Sequence, residues 1–117
     1  MLTPRILSVG TNPELMATRT LLLRSAGYAV EEAFSVNKAI RLVEADSIDL
    51  TLICHTVPKR DQRALIAVIQ EKRRLMPVLC IRSYAYESAP QACLAVDNDP
   101  AILLHCVKSS IRPSAGN

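Results

Sequence analysis

Aromatic side chains are scarce: one phenylalanine, three tyrosines and no tryptophan among 117 residues. Proteins that hold single-stranded nucleic acid stack its bases on rings, so that function is disfavoured, and the core must be built from Leu, Ile, Val and Ala. Cysteine pairs are lacking too. Cys54, Cys80, Cys93 and Cys106 include no C-x-x-C spacing, and most lie inside apolar runs. That pattern argues against a disulfide framework and for a reducing, cytoplasmic setting. No apolar stretch is long enough to span a bilayer, and the opening MLTPRILSVG is too short for a signal peptide. A strong excess of one charge is also missing, with a formal net charge of +3. The cations are nevertheless clustered: Lys59, Arg60, Arg63, Lys72, Arg73, Arg74 and Arg82 fall in one short stretch. A solvated helix face is the plain reading of that cluster, and an anionic partner the sharper one.

What is present suffices for a packed domain. Half the residues are hydrophobic and 21% are charged, which argues against disorder. The length fits one compact domain over residues 1–117, with 111–117 a polar tail.

Short buried runs alternate with helical patterns. Residues 5–10 (RILSVG) read as a buried strand, and Asn12-Pro13-Glu14 as a helix start: a cap, a proline suited to the first position, and an acid at the positive end. Leu15, Leu22 and Ala26 are taken as that helix's inner face, and Gly27 as its terminator. Residues 28–33 are a second strand. Ser35 caps a helix whose inner positions are Val36, Ala39, Ile40 and Val43. Residues 50–54 (LTLIC) are the most apolar strand and should be central. Asp61 is expected to cap a third helix with Ala64, Leu65, Val68 and Ile69 inside. Residues 78–81 are a fourth strand and residues 92–96 a fifth, while 82–90 show no helical stripe. Asp99-Pro100 repeats the cap-then-proline signal ahead of a last helix bearing Ile102, Leu103, Cys106, Val107 and Ile111.

The alternation implies an α/β fold: a three-layer sandwich around a five-stranded parallel sheet, flavodoxin-like in the order 2-1-3-4-5. Since residues 82–90 show no helical stripe, the fourth helix of the alternation is expected to be shortened or missing.

In order and spacing, the opening RILSVGTNPELMATRTLLLRSAGYAVEEA, then Asp49-Leu50 through Cys54 to Pro58, then Pro77-Val78 and Asp99-Pro100 resemble a response-regulator receiver domain over nearly the whole chain. The resemblance implies a site at the carboxyl ends of the strands. Acidic metal ligands would follow the first strand, where Gly10 and Thr11 stand with Asn12 beside them. The phosphoacceptor aspartate corresponds to Cys54. The small hydroxyl residue after the fourth strand corresponds to Arg82, with Ser83 next to it, and the lysine ending the fifth to Val96. Magnesium takes hard oxygen ligands, and phosphoryl transfer needs a nucleophile with cations to offset its charge. None of these positions supplies a carboxylate. Arg82 is instead expected to place a fixed positive charge near the pocket.

The resemblance therefore implies a degenerate receiver in two-component or phosphorelay signalling. It is expected not to be an enzyme, to need no cofactor and to bind no metal. It would act through a protein partner (a kinase, an output domain or another regulator) or a second copy of itself. The alternative is a redox or small-anion sensor built on Cys54 and Arg82. Cys54-His55 invites a metal or catalytic reading, but neighbours on a strand point to opposite faces. GTNPE at residues 10–14 has one glycine and no P-loop lysine, a weak phosphate signal.

Overall fold

The computed structural model describes residues 3–45, 48–82, 94–96 and 99–111. The elements run β1 (Arg5–Val9), α1 (Pro13–Ser25), β2 (Ala29–Ala33), α2 (Val36–Ala45), β3 (Leu50–Ile53), α3 (Lys59–Lys72), β4 (Val78–Ile81), β5 (Leu94–Val96) and α4 (Pro100–Ser110). The strands form one parallel sheet in the order β2-β1-β3-β4-β5. The expected α/β class, with a parallel sheet between helical layers, is the one observed. The expectation of a shortened or missing helix between the fourth and fifth strands lies outside the described residues, as does most of the polar tail.

Side chains alternate across a strand, and here they divide the core in two. Leu7, Val9, Ile53 and Cys80 pack with α2 and α3 through Ala39, Val43, Leu65 and Ile69. Ile6, Leu50, Leu52 and Leu79 pack on the other side with Leu23 of α1 and with Leu103 and Val107 of α4. β3 and β4 are buried at every position, the mark of strands covered on both faces.

Local signals set the helix starts. Asn12 Oδ1 accepts from the backbone N–H groups of Glu14 (3.0 Å) and Leu15 (3.1 Å). Asp99 Oδ1 accepts likewise from Ala101 (2.9 Å) and Ile102 (3.2 Å). Ser35 Oγ accepts from the N–H of Lys38. Gly27 follows α1 at φ +98°, a conformation that favours glycine.

Four expectations are corrected. α1 buries Met16, Arg19, Thr20 and Leu23, so the face read from Leu15, Leu22 and Ala26 is displaced by one residue. The run Leu21-Leu22-Leu23 is apolar all round and gives no unique periodicity. α3 begins at Lys59 behind Pro58 with no side-chain cap, and Asp61 lies within its first turn. Its inner stripe is Gln62, Leu65, Ile66 and Ile69, with Ala64 exposed. Finally, Cys80 is disulfide-bonded, against the expectation of no disulfide framework. Spacing along a chain does not report which cysteines the fold brings together.

Candidate functional site

Two backbone hydrogen bonds carry the β ladders past the strand ends. Gly10 N–H donates to Ala33 O (3.1 Å), and Cys54 N–H donates to Val9 O (2.8 Å). They hold Gly10 and Cys54 side by side at the carboxyl edge of the two central strands. A Cβ placed on Gly10 would stand 2.8 Å from Met16 Sδ and 3.0 Å from Cys54 Cβ. The space a side chain at position 10 would need is already filled. Met16 is fully buried there, with Ser8 Oγ 3.6 Å from its sulfur.

One helical turn beyond Met16, Arg19 is 5% exposed, and its Nη1 donates to Cys54 Sγ across 2.8 Å. Cys54 itself is 2% exposed. The interior of the site is thus a thiol, a thioether and a guanidinium. Sequence reasoning missed Arg19. The available signal was its i+3 spacing from Met16 and i−4 spacing from Leu23, hidden once the helix face was read from Leu15.

The remaining sequence-derived positions have other tasks. Thr11 is exposed; its N–H donates to Thr56 Oγ1 (3.1 Å) and its hydroxyl to Thr56 O (3.5 Å). Asn12 is committed to capping α1. Arg82 is half-buried just after β4. Val96 ends β5, where only the backbone is described, and Ser83 lies outside the described residues. Among the described residues no group of three His, Cys, Asp or Glu side chains is gathered to hold a metal ion.

The three loops after β1, β2 and β3 also enclose a cavity of about 240 Å³. Phe34, Val36, Val57 and Pro58 make it mainly apolar, and Thr11, Asn37 and Asp61 add polar groups. The turn beneath it is fixed by Val57 N–H on Cys54 O (3.1 Å) and by Gln62 Nε2 on Val57 O (2.8 Å).

This sheet order, with two helices on each face among the described residues and a site at the carboxyl edge, defines a class. The chain has the CheY-like fold of response-regulator receiver domains. It is similar to a response regulator receiver domain protein (CheY-like) from Methanospirillum hungatei JF-1, with 20% identity over 94% of each chain and a TM-score of 0.80. It is similar as well to the receiver domain of the sensor histidine kinase PA1611 from Pseudomonas aeruginosa PAO1, a structure with magnesium coordinated in its active-site cleft. That match has 21% identity, covers 94% of this chain and 98% of that one, and has a TM-score of 0.81. The receiver domain of the hybrid histidine kinase CckA is 26% identical over 92% of this chain and 99% of that one, with a TM-score of 0.77. No protein-family model matches the sequence, and no curated protein matches it. Among the described residues, no helix is long and apolar enough to cross a membrane.

Proposed function

We propose that this chain is a receiver domain of two-component signalling that works without aspartyl phosphorylation, as a cytoplasmic protein-interaction module rather than an enzyme. Its partner would be a kinase, an output domain or another regulator. One observation carries the reading: Met16 occupies the space beside Gly10, and Arg19 meets the sulfur of Cys54, where a carboxylate cage would have to stand. Magnesium takes six oxygen ligands in near-octahedral geometry, usually including a carboxylate. A thioether is too soft for it, a guanidinium repels it, and Gly10 brings no side chain, so these residues do not fit the ion. Cys54 is no phosphoryl acceptor of the aspartyl kind, and the fixed charge of Arg19 leaves no role for a metal in balancing the pocket.

The test is labelling with radioactive acetyl phosphate and magnesium, read by intact-protein mass spectrometry alongside an active receiver. The proposal expects no phosphoryl adduct. Stoichiometric, magnesium-dependent labelling of any aspartate would overturn it.

The contact between Arg19 and Cys54 also favours a second reading, a thiol-based sensor, with Arg19 rather than Arg82 as the cation on the sulfur. Its weakness is access, because Cys54 is almost fully buried. Native-state alkylation separates the two: a Cys54 that stays unmodified until the chain unfolds ends the sensor reading.

A further inference from the structure

The layer formed by α2 and α3 carries cations without an ion-pair partner among the described residues. Lys38 and Arg41 on α2, and Arg60 and Arg63 on α3, are all exposed, and none of the four makes an ion pair among the described residues. The same helices carry Glu44, Asp61 and Glu71, so the layer stays net basic. Arg73, by contrast, is used internally: its Nε donates to Val43 O (3.2 Å) and ties α3 to α2.

The apolar cavity opens between the first turns of these two helices. Asn37 and Asp61 line it; Lys38 and Arg60 adjoin them in the chain, exposed in the same first turns, with Arg41 and Arg63 one turn further along. The helix N-termini at the same edge add to the positive potential. Phe34 forms one wall while remaining 45% exposed. Asp61 makes no hydrogen bond among the described residues and is placed to accept an N–H from whatever enters.

We propose that the α2–α3 edge is a docking surface for an acidic segment of a partner protein, which inserts one aliphatic or aromatic side chain into the cavity between Phe34 and Val57 and sets carboxylates against Lys38 and Arg60. An apolar anchor flanked by charge complementarity is the usual division of labour at such interfaces, the buried side chain supplying affinity and the charges steering and register. Nucleic acid fits less well, because phosphates have no use for an apolar cavity and one exposed ring is no stacking platform. This surface names the partner chemistry for the interaction role proposed above.

The experiment pans a phage-displayed library of random peptides, each about a dozen residues long, on the intact chain. The enriched peptides are then measured as fluorescein conjugates by anisotropy, and their binding is mapped by amide chemical shifts. Enriched peptides are expected to pair Asp or Glu with a Leu, Phe or Trp anchor. Replacing the anchor by Ser, the double reversal Lys38→Glu with Arg60→Glu, or the cavity-blocking Asn37→Trp should each weaken binding about tenfold or more, with the circular dichroism of the variants unchanged. No enrichment, peptides without acids or anchor, shifts confined to the α1–α4 face, or equal affinity for single-stranded DNA would each overturn the proposal. If the peptides fail while acetyl phosphate still leaves no adduct, this surface falls and the phosphorylation-independent reading stands. If the peptides bind but an aspartate is labelled, the reverse holds.

Discussion

The guanidinium of Arg19 reaches the sulfur of Cys54 across 2.8 Å, joining the buried face of α1 to the end of β3 over a separation of 35 residues. Both side chains are buried, so the contact is made away from bulk water, where a charged donor is costly to leave unmet. A cation built into the protein therefore stands beside the position that the receiver resemblance assigns to the phosphoacceptor.

The first prediction concerns restoring that acceptor. In Cys54→Asp the new carboxylate would lie within reach of Arg19 Nη1 and pair with it. Neither Gly10 nor Met16 supplies an oxygen ligand, so Cys54→Asp should still take no phosphoryl group from acetyl phosphate and magnesium. Intact mass after incubation checks this. Adding Arg19→Ala should not rescue labelling, because freeing the carboxylate leaves the metal cage unbuilt.

The second prediction follows from the packing under Gly10. Even one carbon there meets Met16 Sδ at 2.8 Å and Cys54 Cβ at 3.0 Å. Gly10→Asp should therefore cost about 1–3 kcal/mol by overpacking. The cause is testable by a double-mutant cycle. Met16→Ala alone should destabilise by opening a cavity, yet the double variant should be more stable than the sum of the two changes implies, because the deleted thioether makes the room. Urea unfolding followed by circular dichroism measures both. Strict additivity would show that the two positions do not compete for space.

What could be read from the sequence was what is local. The caps Asn12 and Asp99, each followed by proline, announced α1 and α4 and sit where expected, because a cap bonds only two or three residues ahead. The β-rich runs at residues 50–53 and 78–81 were legible for the same reason: strands buried on both faces read as unbroken apolar stretches. What failed was rotational or long-range. A shift of one residue in the inner face of α1 moved Arg19 from solvent to the core and hid its contact with Cys54. Asp61 looked like a cap because two ordinary helix residues, Lys59 and Arg60, precede it, and no local signal says the helix takes them in. The disulfide at Cys80 has no local signal in the sequence around it.

The third prediction concerns the two free thiols among the described residues. Cys106 on α4 is half-buried, whereas Cys54 is 2% exposed, with Arg19 against its sulfur. A bulky aromatic disulfide reagent should modify Cys106 in the native chain and Cys54 only on unfolding. Peptide mapping after brief and long exposure distinguishes them. Cys106→Ser should then be nearly silent to the reagent until denaturant is added. Rapid native labelling of Cys54 would show that the cover over it opens readily, and would move the thiol-sensor reading forward.

The fourth prediction separates backbone from packing effects. Gly27 follows α1 at φ +98°, and a Cβ there would meet nothing within 4 Å. Gly27→Ala should therefore destabilise by about 1 kcal/mol through backbone strain alone, since no side chain has to move. Gly27→Asn should cost less, because asparagine tolerates the left-handed region better than alanine does. Asn12→Ala, at the other end of the same helix, removes an acceptor serving two N–H groups and should also cost about 1 kcal/mol. The two sites share no partner, so Gly27→Ala and Asn12→Ala should add within about 0.5 kcal/mol. An excess beyond additivity would mean that α1 frays as a unit. In that case both variants should also raise native-state reactivity at Cys54, since Arg19, which meets its sulfur, is carried by this helix.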